Sequence, residues 1–88
     1  MVKVKFFGVL RLETKIASVE VEAKTVKKAY EAVEADLKAK GIENAPTAKD
    51  LKDYITFVNG INIYKLKRQA TKLKAGDEIV LMSPVSGG

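Results

Sequence analysis

Residues 2–41 read VKVKFFGVLRLETKIASVEVEAKTVKKAYEAVEADLKAKG and contain the clearest strand and helix patterns of the chain. It begins with apolar residues that alternate with mostly charged ones over residues 2–7, which is typical of a half-buried strand. A second alternation over residues 16–22 predicts another strand. Residues 9–15 lie between the two and are expected to form a connecting loop. The N-terminal part of the chain therefore predicts a hairpin.

A long helix is expected next, over about residues 26–40. Thr25 can cap its start, and Gly41 is well placed to end it. Apolar residues recur between these limits at three- and four-residue spacing, which puts them on one helical face. They are Val26, Ala29, Tyr30, Val33 and Leu37.

The second half of the chain adds a short helix and more strands. Thr47 and Asp50 have the spacing of a capping box, which predicts a helix of one or two turns ending near Asp53. Residues 55–58 read as a strand, and Asn59-Gly60 is a strong type I′ turn signal. The returning strand is expected over residues 61–64 or part of them, and the last strand over residues 78–82.

This order of elements predicts an α+β fold of the β-grasp (ubiquitin-like) type, in which a mixed sheet of about five strands packs on one main helix. We expect a ubiquitin-like β-grasp domain over residues 1–82. Residues 83–88 are expected to form an extended tail that ends in diglycine. Pro84 supports this because it disfavours helix at Ser83 and holds that residue extended.

Composition limits the possible functions. The 88 residues suffice for one domain, and without cysteine or histidine there are no disulfides, no cysteine nucleophile and no zinc site of the usual type. The net charge is +5, but the lysines are spread out and do not alternate with aromatics, so no nucleic-acid partner is expected.

Neither a signal peptide nor an apolar run of ~20 residues is present, and we expect a soluble, cytoplasmic protein without membrane partners. Frequent lysine and glutamate are typical of heat-adapted organisms.

The last four residues carry the candidate chemistry. Val85 and Ser86 are small, and Gly87 and Gly88 have no Cβ, so the segment can enter a narrow tunnel in another protein. The terminal carboxylate of Gly88 is ionised at neutral pH, as carboxyl groups ordinarily are, and this makes it a poor acyl donor. It must be activated, usually by adenylation with ATP. Sulfide transfer to the acyl-adenylate then gives a thiocarboxylate, whereas attack by a lysine amine gives an amide.

A candidate docking surface lies on the sheet. Phe7 points outward from the first strand, and Val80 and Met82 share one face of the last strand. The first and last strands of a β-grasp sheet are central neighbours. We therefore expect Phe7, Val80 and Met82 to form an apolar partner-binding patch at the base of the tail.

These residues resemble the small, sulfur-carrying subunit of molybdopterin synthase, a MoaD-type, ubiquitin-like family. The resemblance is carried by Lys3-Val4-Lys5-Phe6-Phe7-Gly8 with Arg11, by Phe57-Val58-Asn59-Gly60, by Leu73-x-x-Gly76-Asp77-Glu78-Ile79 and by Pro84-Val85-Ser86-Gly87-Gly88. It implies that a ubiquitin-activating-type enzyme uses ATP to adenylate Gly88, and that a sulfur donor then forms the thiocarboxylate. The carrier would dock on the large subunit of molybdopterin synthase and give its sulfur to a pterin precursor of the molybdenum or tungsten cofactor.

The resemblance also implies roles for individual residues. Phe7 and Met82 match the family's apolar partner contacts, and Gly87 and Gly88 match its active tail. Catalytic groups would belong to the partners, so the chain itself would be a non-catalytic carrier with no metal and no stably bound cofactor.

Three alternatives stay open on sequence grounds. The chain could be a protein modifier that is conjugated to lysines through Gly88, or a sulfur carrier for thiamine synthesis or tRNA thiolation. It could also be a plain binding module with an inert tail. These functions differ in what the Gly88 carboxylate becomes: an amide, a thiocarboxylate or an unchanged carboxylate.

Overall fold

A computed structural model describes residues 1–84, which contain five strands and three α-helices. In chain order they are β1 (Val2–Phe7), α1 (Val9–Thr14), β2 (Ser18–Val21), α2 (Val26–Ala39), α3 (Ala48–Leu51), β3 (Ile55–Val58), β4 (Ile61–Asn62) and β5 (Glu78–Met82). The strands form one sheet in the order β2-β1-β5-β3-β4, in which β1 and β5 are parallel and the other pairs antiparallel. This arrangement confirms the predicted β-grasp fold.

The predicted long helix is confirmed as α2. The Thr25 side chain accepts a hydrogen bond from the Lys28 backbone N–H at 3.2 Å, as expected of an N-cap. Gly41 follows the helix with a φ of 71°, a conformation that favours glycine. All five residues of the predicted apolar stripe are buried against the sheet. Local capping and periodicity therefore account for this element.

The predicted loop over residues 9–15 is wrong, because most of it forms α1. β1 and β2 pair antiparallel as expected, but a helix joins them, and β2 is shorter than the predicted residues 16–22. Leu10 and Thr14, four residues apart, are buried on one side of this helix. The Thr14 hydroxyl donates to the Leu10 carbonyl at 2.8 Å. Two inward residues give too weak a periodicity to recognise in the sequence.

The second half follows the prediction closely. The Thr47–Asp50 capping box is present, and both Asn59 and Gly60 have positive φ, of 49° and 84°. The returning strand β4 is only two residues long. It stops because the Asn62 side chain accepts a hydrogen bond from the Tyr64 N–H at 2.9 Å and starts a turn of 3-10 helix.

The core lies between α2 and one face of the sheet. The sheet contributes alternate residues to it, namely Val2, Val4, Phe6, Val19, Val21, Val58, Ile79 and Leu81. One polar pair lies in this layer, in which the Tyr30 hydroxyl and Thr56 Oγ1 are 2.7 Å apart. Within residues 1–84 the helices cover only this face, so this part of the chain leaves the opposite face of β1, β5 and β3 open. None of the helices in residues 1–84 is long and apolar enough to cross a membrane.

Candidate functional site

Three rows of side chains cross the open face of the sheet, and the two nearest the end of β5 contain its apolar residues. Parallel pairing sets Phe7 of β1 beside Met82 of β5, and antiparallel pairing sets Ile55 of β3 on the other side of Met82. The second row runs from β1 to β4 through Lys5, Val80, Phe57 and Asn62. Directly opposed residues share a face of the sheet. Five apolar side chains thus lie together, and we call Phe7, Ile55, Phe57, Val80 and Met82 the open-face patch.

The open-face patch is accessible although its members shield one another. Phe7 is 40% exposed and Ile55 is 38% exposed. Phe57, Val80 and Met82 are half-buried. A contiguous apolar area on a charged surface is typical of a protein-binding site. The structure therefore brings the predicted Phe7, Val80 and Met82 together, while their role in partner binding stays a prediction.

Polarity changes along this face. Lys3 of β1 lies opposite Glu78 of β5, and Lys5 Nζ is 3.4 Å from Glu78 Oε2. The charged groups thus lie where β5 begins, and the row made only of apolar residues lies where β5 ends. Residue 83 follows β5 directly, and we call it the root of the C-terminal segment. The apolar end of the face therefore adjoins this root.

Sequence reasoning missed Ile55 and Phe57. In β3 the more apolar pair faces outward, while Thr56 and Val58 face the helix layer. Thr56 can be buried because its hydroxyl is hydrogen-bonded to Tyr30. The residues of β3 alone suggest the opposite orientation. The usable signal was the pairing of β3 with β5, since an outward Val80 requires an outward Phe57.

The root of the tail is held on the helix side of the sheet. Ser83 Oγ accepts a hydrogen bond from the Leu10 backbone N–H at 2.8 Å. Burial raises the pKa of the nearby Tyr54 hydroxyl, and hydrogen bonding with Ser83 acts against that rise. Pro84 is exposed. Of the other predicted tail residues, Val85, Ser86, Gly87 and Gly88 lie outside the described residues.

Other shifted pKa values within the described residues have structural causes. Burial raises the pKa of Tyr30. A hydrogen bond from the Ala48 backbone N–H lowers the pKa of Glu34, and one from the Lys74 backbone N–H lowers that of Asp77. Asp77 thus serves the turn before β5, as expected from the sequence. Within residues 1–84, no three acidic side chains come close enough together to hold a metal ion.

Solved structures of similar proteins cover almost the whole chain. The small archaeal modifier protein 1 from Methanosarcina acetivorans is 29% identical, with 99% of this chain and 95% of that chain covered and a TM-score of 0.75. A chain in the complex of subunits 1 and 2 of the molybdopterin-converting factor from Helicobacter pylori is 28% identical, with coverage of 99% and 97% and a TM-score of 0.59. A chain of the BexX/CysO complex from Amycolatopsis orientalis is 24% identical, with 100% of this chain and 100% of that chain covered and a TM-score of 0.71. The two chains share the fold.

No curated protein sequence matches the chain. A family profile does match, and its description is ThiS family. The match runs over residues 4–88, so it includes most of β1, with Phe7, and the final Gly87-Gly88. This agrees with the resemblance to ubiquitin-like sulfur carriers noted in the sequence. Because the profile covers nearly the entire sequence, the chain belongs to the ThiS family.

Proposed function

We propose that this chain is a cytoplasmic sulfur carrier for molybdopterin biosynthesis and that Gly88 carries the sulfur. The observation that carries the proposal is the all-apolar row of Phe7, Met82 and Ile55 at the end of β5. A partner that covers this row lies next to residue 83, where the tail begins. Docking and delivery of the C-terminus are thereby combined in one surface.

The proposed chemistry uses the carboxylate of Gly88 and no side chain of this protein. A carboxylate oxygen attacks the α-phosphorus of ATP on an adenylating enzyme, and pyrophosphate leaves. Sulfide supplied by a sulfur donor then attacks the acyl carbon and displaces AMP, which leaves a thiocarboxylate on Gly88. In the large subunit of molybdopterin synthase the thiocarboxylate sulfur attacks a carbon of the pterin precursor and displaces an oxygen leaving group. Water then hydrolyses the acyl–sulfur bond, which restores the carboxylate and leaves the sulfur on the pterin. Catalytic groups and ATP thus belong to the partners, and this chain is proposed to be non-catalytic.

The geometry of the open-face patch supports a docking role. Strands in a sheet are ~4.8 Å apart, so three strands and two rows span about 10 Å by 7 Å. A patch of this size can form the apolar centre of a protein interface, which is usually surrounded by a polar rim. Lys5 and Asn62, which flank Val80 and Phe57 in the second row, can supply part of that rim. The similarity to a chain in the two-subunit molybdopterin-converting factor complex favours this pathway.

A second candidate function is conjugation of Gly88 to lysine amines of other proteins. The observation that favours it is the 29% identity with the small archaeal modifier protein 1. Both functions begin with the same adenylate and differ in the nucleophile that takes the acyl group. Sulfur carriage for thiamine or tRNA thiolation uses the same thiocarboxylate and differs in the acceptor.

Intact mass and genetics together test the proposal. Protein isolated from its native host should carry a fraction heavier by ~16 Da, because one carboxylate oxygen is replaced by sulfur in the activated acyl group. Deletion of Gly88 should abolish molybdopterin formation and leave thiamine and tRNA thiolation intact. Leu12→Ala, which changes the 76%-exposed side chain of Leu12, serves as the control that should leave molybdopterin unaffected.

Each alternative predicts a different outcome. A ladder of covalent conjugates without the heavier form favours the modifier. Loss of thiamine or of tRNA thiolation in the Gly88 deletion moves the carrier to that pathway. Normal levels of all three products in the Gly88 deletion, together with no conjugate ladder from the wild-type chain, would contradict every function that uses the tail.

A further inference from the structure

Ser83 makes a contact that the proposed chemistry has not used. Its Oγ accepts a hydrogen bond from the backbone N–H of Leu10, a residue 73 positions away in the chain. Leu10 belongs to the first turn of α1, whose N-terminal N–H groups lack partners within the helix. The residue before this helix is Gly8, which makes no side-chain capping bond. Ser83 therefore supplies an acceptor that the sequence around α1 does not provide.

The donor of this hydrogen bond is held firmly in place. Leu10 is 1% exposed and Thr14 is 5% exposed, so the inward side of α1 is part of the core. The Thr14 hydroxyl also accepts a hydrogen bond from the Ile16 N–H at 3.2 Å, which fixes the end of the helix. A helix of six residues is not stable by itself, and its position is set by these tertiary contacts. Ser83 is thus bonded to a point that belongs to the core.

A second element contacts Ser83 from the other side. Ile55 pairs with Met82 at the end of the antiparallel β3-β5 ladder, and Tyr54 and Ser83 are the chain neighbours of this last pair. Interaction with Ser83 holds the pKa of the Tyr54 hydroxyl below the value that burial alone would give. A serine hydroxyl can accept from an N–H and still take part in a second hydrogen bond. Ser83 is thus bonded to α1 and lies near Tyr54 at the point where the chain leaves β5.

We propose that Ser83 is a positioning residue that fixes the direction in which the C-terminal segment leaves the sheet. This inference rests on the proposed function, in which the tail must reach a remote active site while the open-face patch is docked. Pro84 restricts Ser83 further, because its ring limits the backbone of the preceding residue. A root that is already fixed loses less freedom on docking, so more of the bound complexes hold the tail in the productive direction.

The expected effect lies in turnover rather than in docking. Ser83 faces the helix layer, whereas the open-face patch lies on the opposite side of the sheet. Loss of the hydroxyl should therefore leave the KM for this carrier near its normal value in the adenylation reaction. We expect kcat to fall about fivefold, which corresponds to about 1 kcal/mol.

Three substitutions isolate the hydroxyl. Ser83→Ala removes it, Ser83→Thr retains it, and Ser83→Val has the shape of threonine without it. The adenylating enzyme is assayed with each carrier by ATP–pyrophosphate exchange. Amide exchange of Leu10 and ¹⁵N relaxation of the Ser83 amide are measured by NMR on the same proteins. The alanine and valine variants should show faster Leu10 exchange, a more mobile Ser83 amide and reduced kcat, and Ser83→Thr should restore all three.

The possible failures can be told apart. Unchanged Leu10 exchange and unchanged Ser83 relaxation in both hydroxyl-free variants would show that the hydroxyl does not hold Ser83 in place, which overturns the inference. Faster exchange with unchanged kcat would show that the bond exists but does not position the tail, which also overturns the inference. If the wild-type chain is not adenylated at all, the proposed function fails, while the NMR data still decide whether Ser83 holds the root.

Discussion

Replacing Phe7 with alanine tests the open-face patch most directly. Phe7 is 40% exposed in the free protein. A phenylalanine has ~200 Å² of surface, so ~80 Å² remains for a partner to cover. At ~25 cal/mol per Å² this area is worth ~2 kcal/mol if the partner covers it completely. We therefore expect Phe7→Ala to weaken binding to the large subunit of molybdopterin synthase by up to about 30-fold.

Tyr64→Ala provides the matched control. Tyr64 is 71% exposed, lies in the 3-10 turn after β4, and places its ring 5.1 Å from the Arg68 guanidinium. It offers more aromatic area than Phe7 but lies outside the open-face patch. If exposed aromatic area alone determined affinity, Tyr64→Ala would be the more damaging change. The patch hypothesis predicts the opposite order, with Tyr64→Ala within about twofold of wild type.

Calorimetric titration of the large subunit with each carrier gives the dissociation constants, and thermal unfolding shows that the variants are folded. Ile55→Ala should also weaken binding, because Ile55 flanks Met82 in the row that contains Phe7. The two losses are expected to be non-additive, since the residues share a neighbour. Equal affinities for wild type and Phe7→Ala, or a larger loss in Tyr64→Ala, would refute the assignment of the docking face.

Three further predictions concern stability and are measured by urea unfolding. Tyr30→Phe should lower the free energy of unfolding by about 1 kcal/mol, because it removes the buried hydrogen bond to Thr56, and an unchanged midpoint would contradict that bond. The hydrogen bond from the Lys74 backbone N–H lowers the pKa of Asp77 in the folded state. The ionised carboxylate therefore stabilises the fold above the unfolded pKa of about 3.9, and this stabilisation is lost as pH falls through the folded pKa. The difference in unfolding free energy between wild type and Asp77→Asn should therefore shrink from pH 6 to pH 2.5. Gly60→Ala should cost about 1–2 kcal/mol from backbone strain, since Gly60 has a φ of +84° and the added Cβ meets no atom within 4 Å; a neutral result would rule out this turn conformation.

Elements with local signals could be predicted from the sequence. α2 has a capping threonine, five apolar residues at helical spacing and a terminal glycine, all within 17 residues. The turn at Asn59-Gly60 and the strand β5 are likewise determined by neighbouring residues. Each signal and the structure that it predicts lie in the same short segment, so a single sequence is sufficient.

α1 could not be predicted, because the groups that stabilise it are distant in sequence. Its N-terminal acceptor is the Ser83 hydroxyl, and the preceding Gly8 gives no capping signal of its own. The orientation of β3 has the same difficulty. Burial of Thr56 depends on Tyr30, which lies 26 residues earlier. Both features arise from tertiary hydrogen bonds that composition and periodicity do not reveal.

The register between β1 and β5 links the core to the candidate site. Phe6 opposite Leu81 and Val4 opposite Ile79 are buried, while Phe7 opposite Met82 is outward. A shift of β5 by one residue would expose Ile79 and Leu81 and turn Met82 into the core. The exposed ion pair between Lys5 and Glu78 contributes at most about 1 kcal/mol, too little to hold the register against such a shift. Burial of the inward side chains therefore fixes the register, and the same register places the apolar row at the root of the tail.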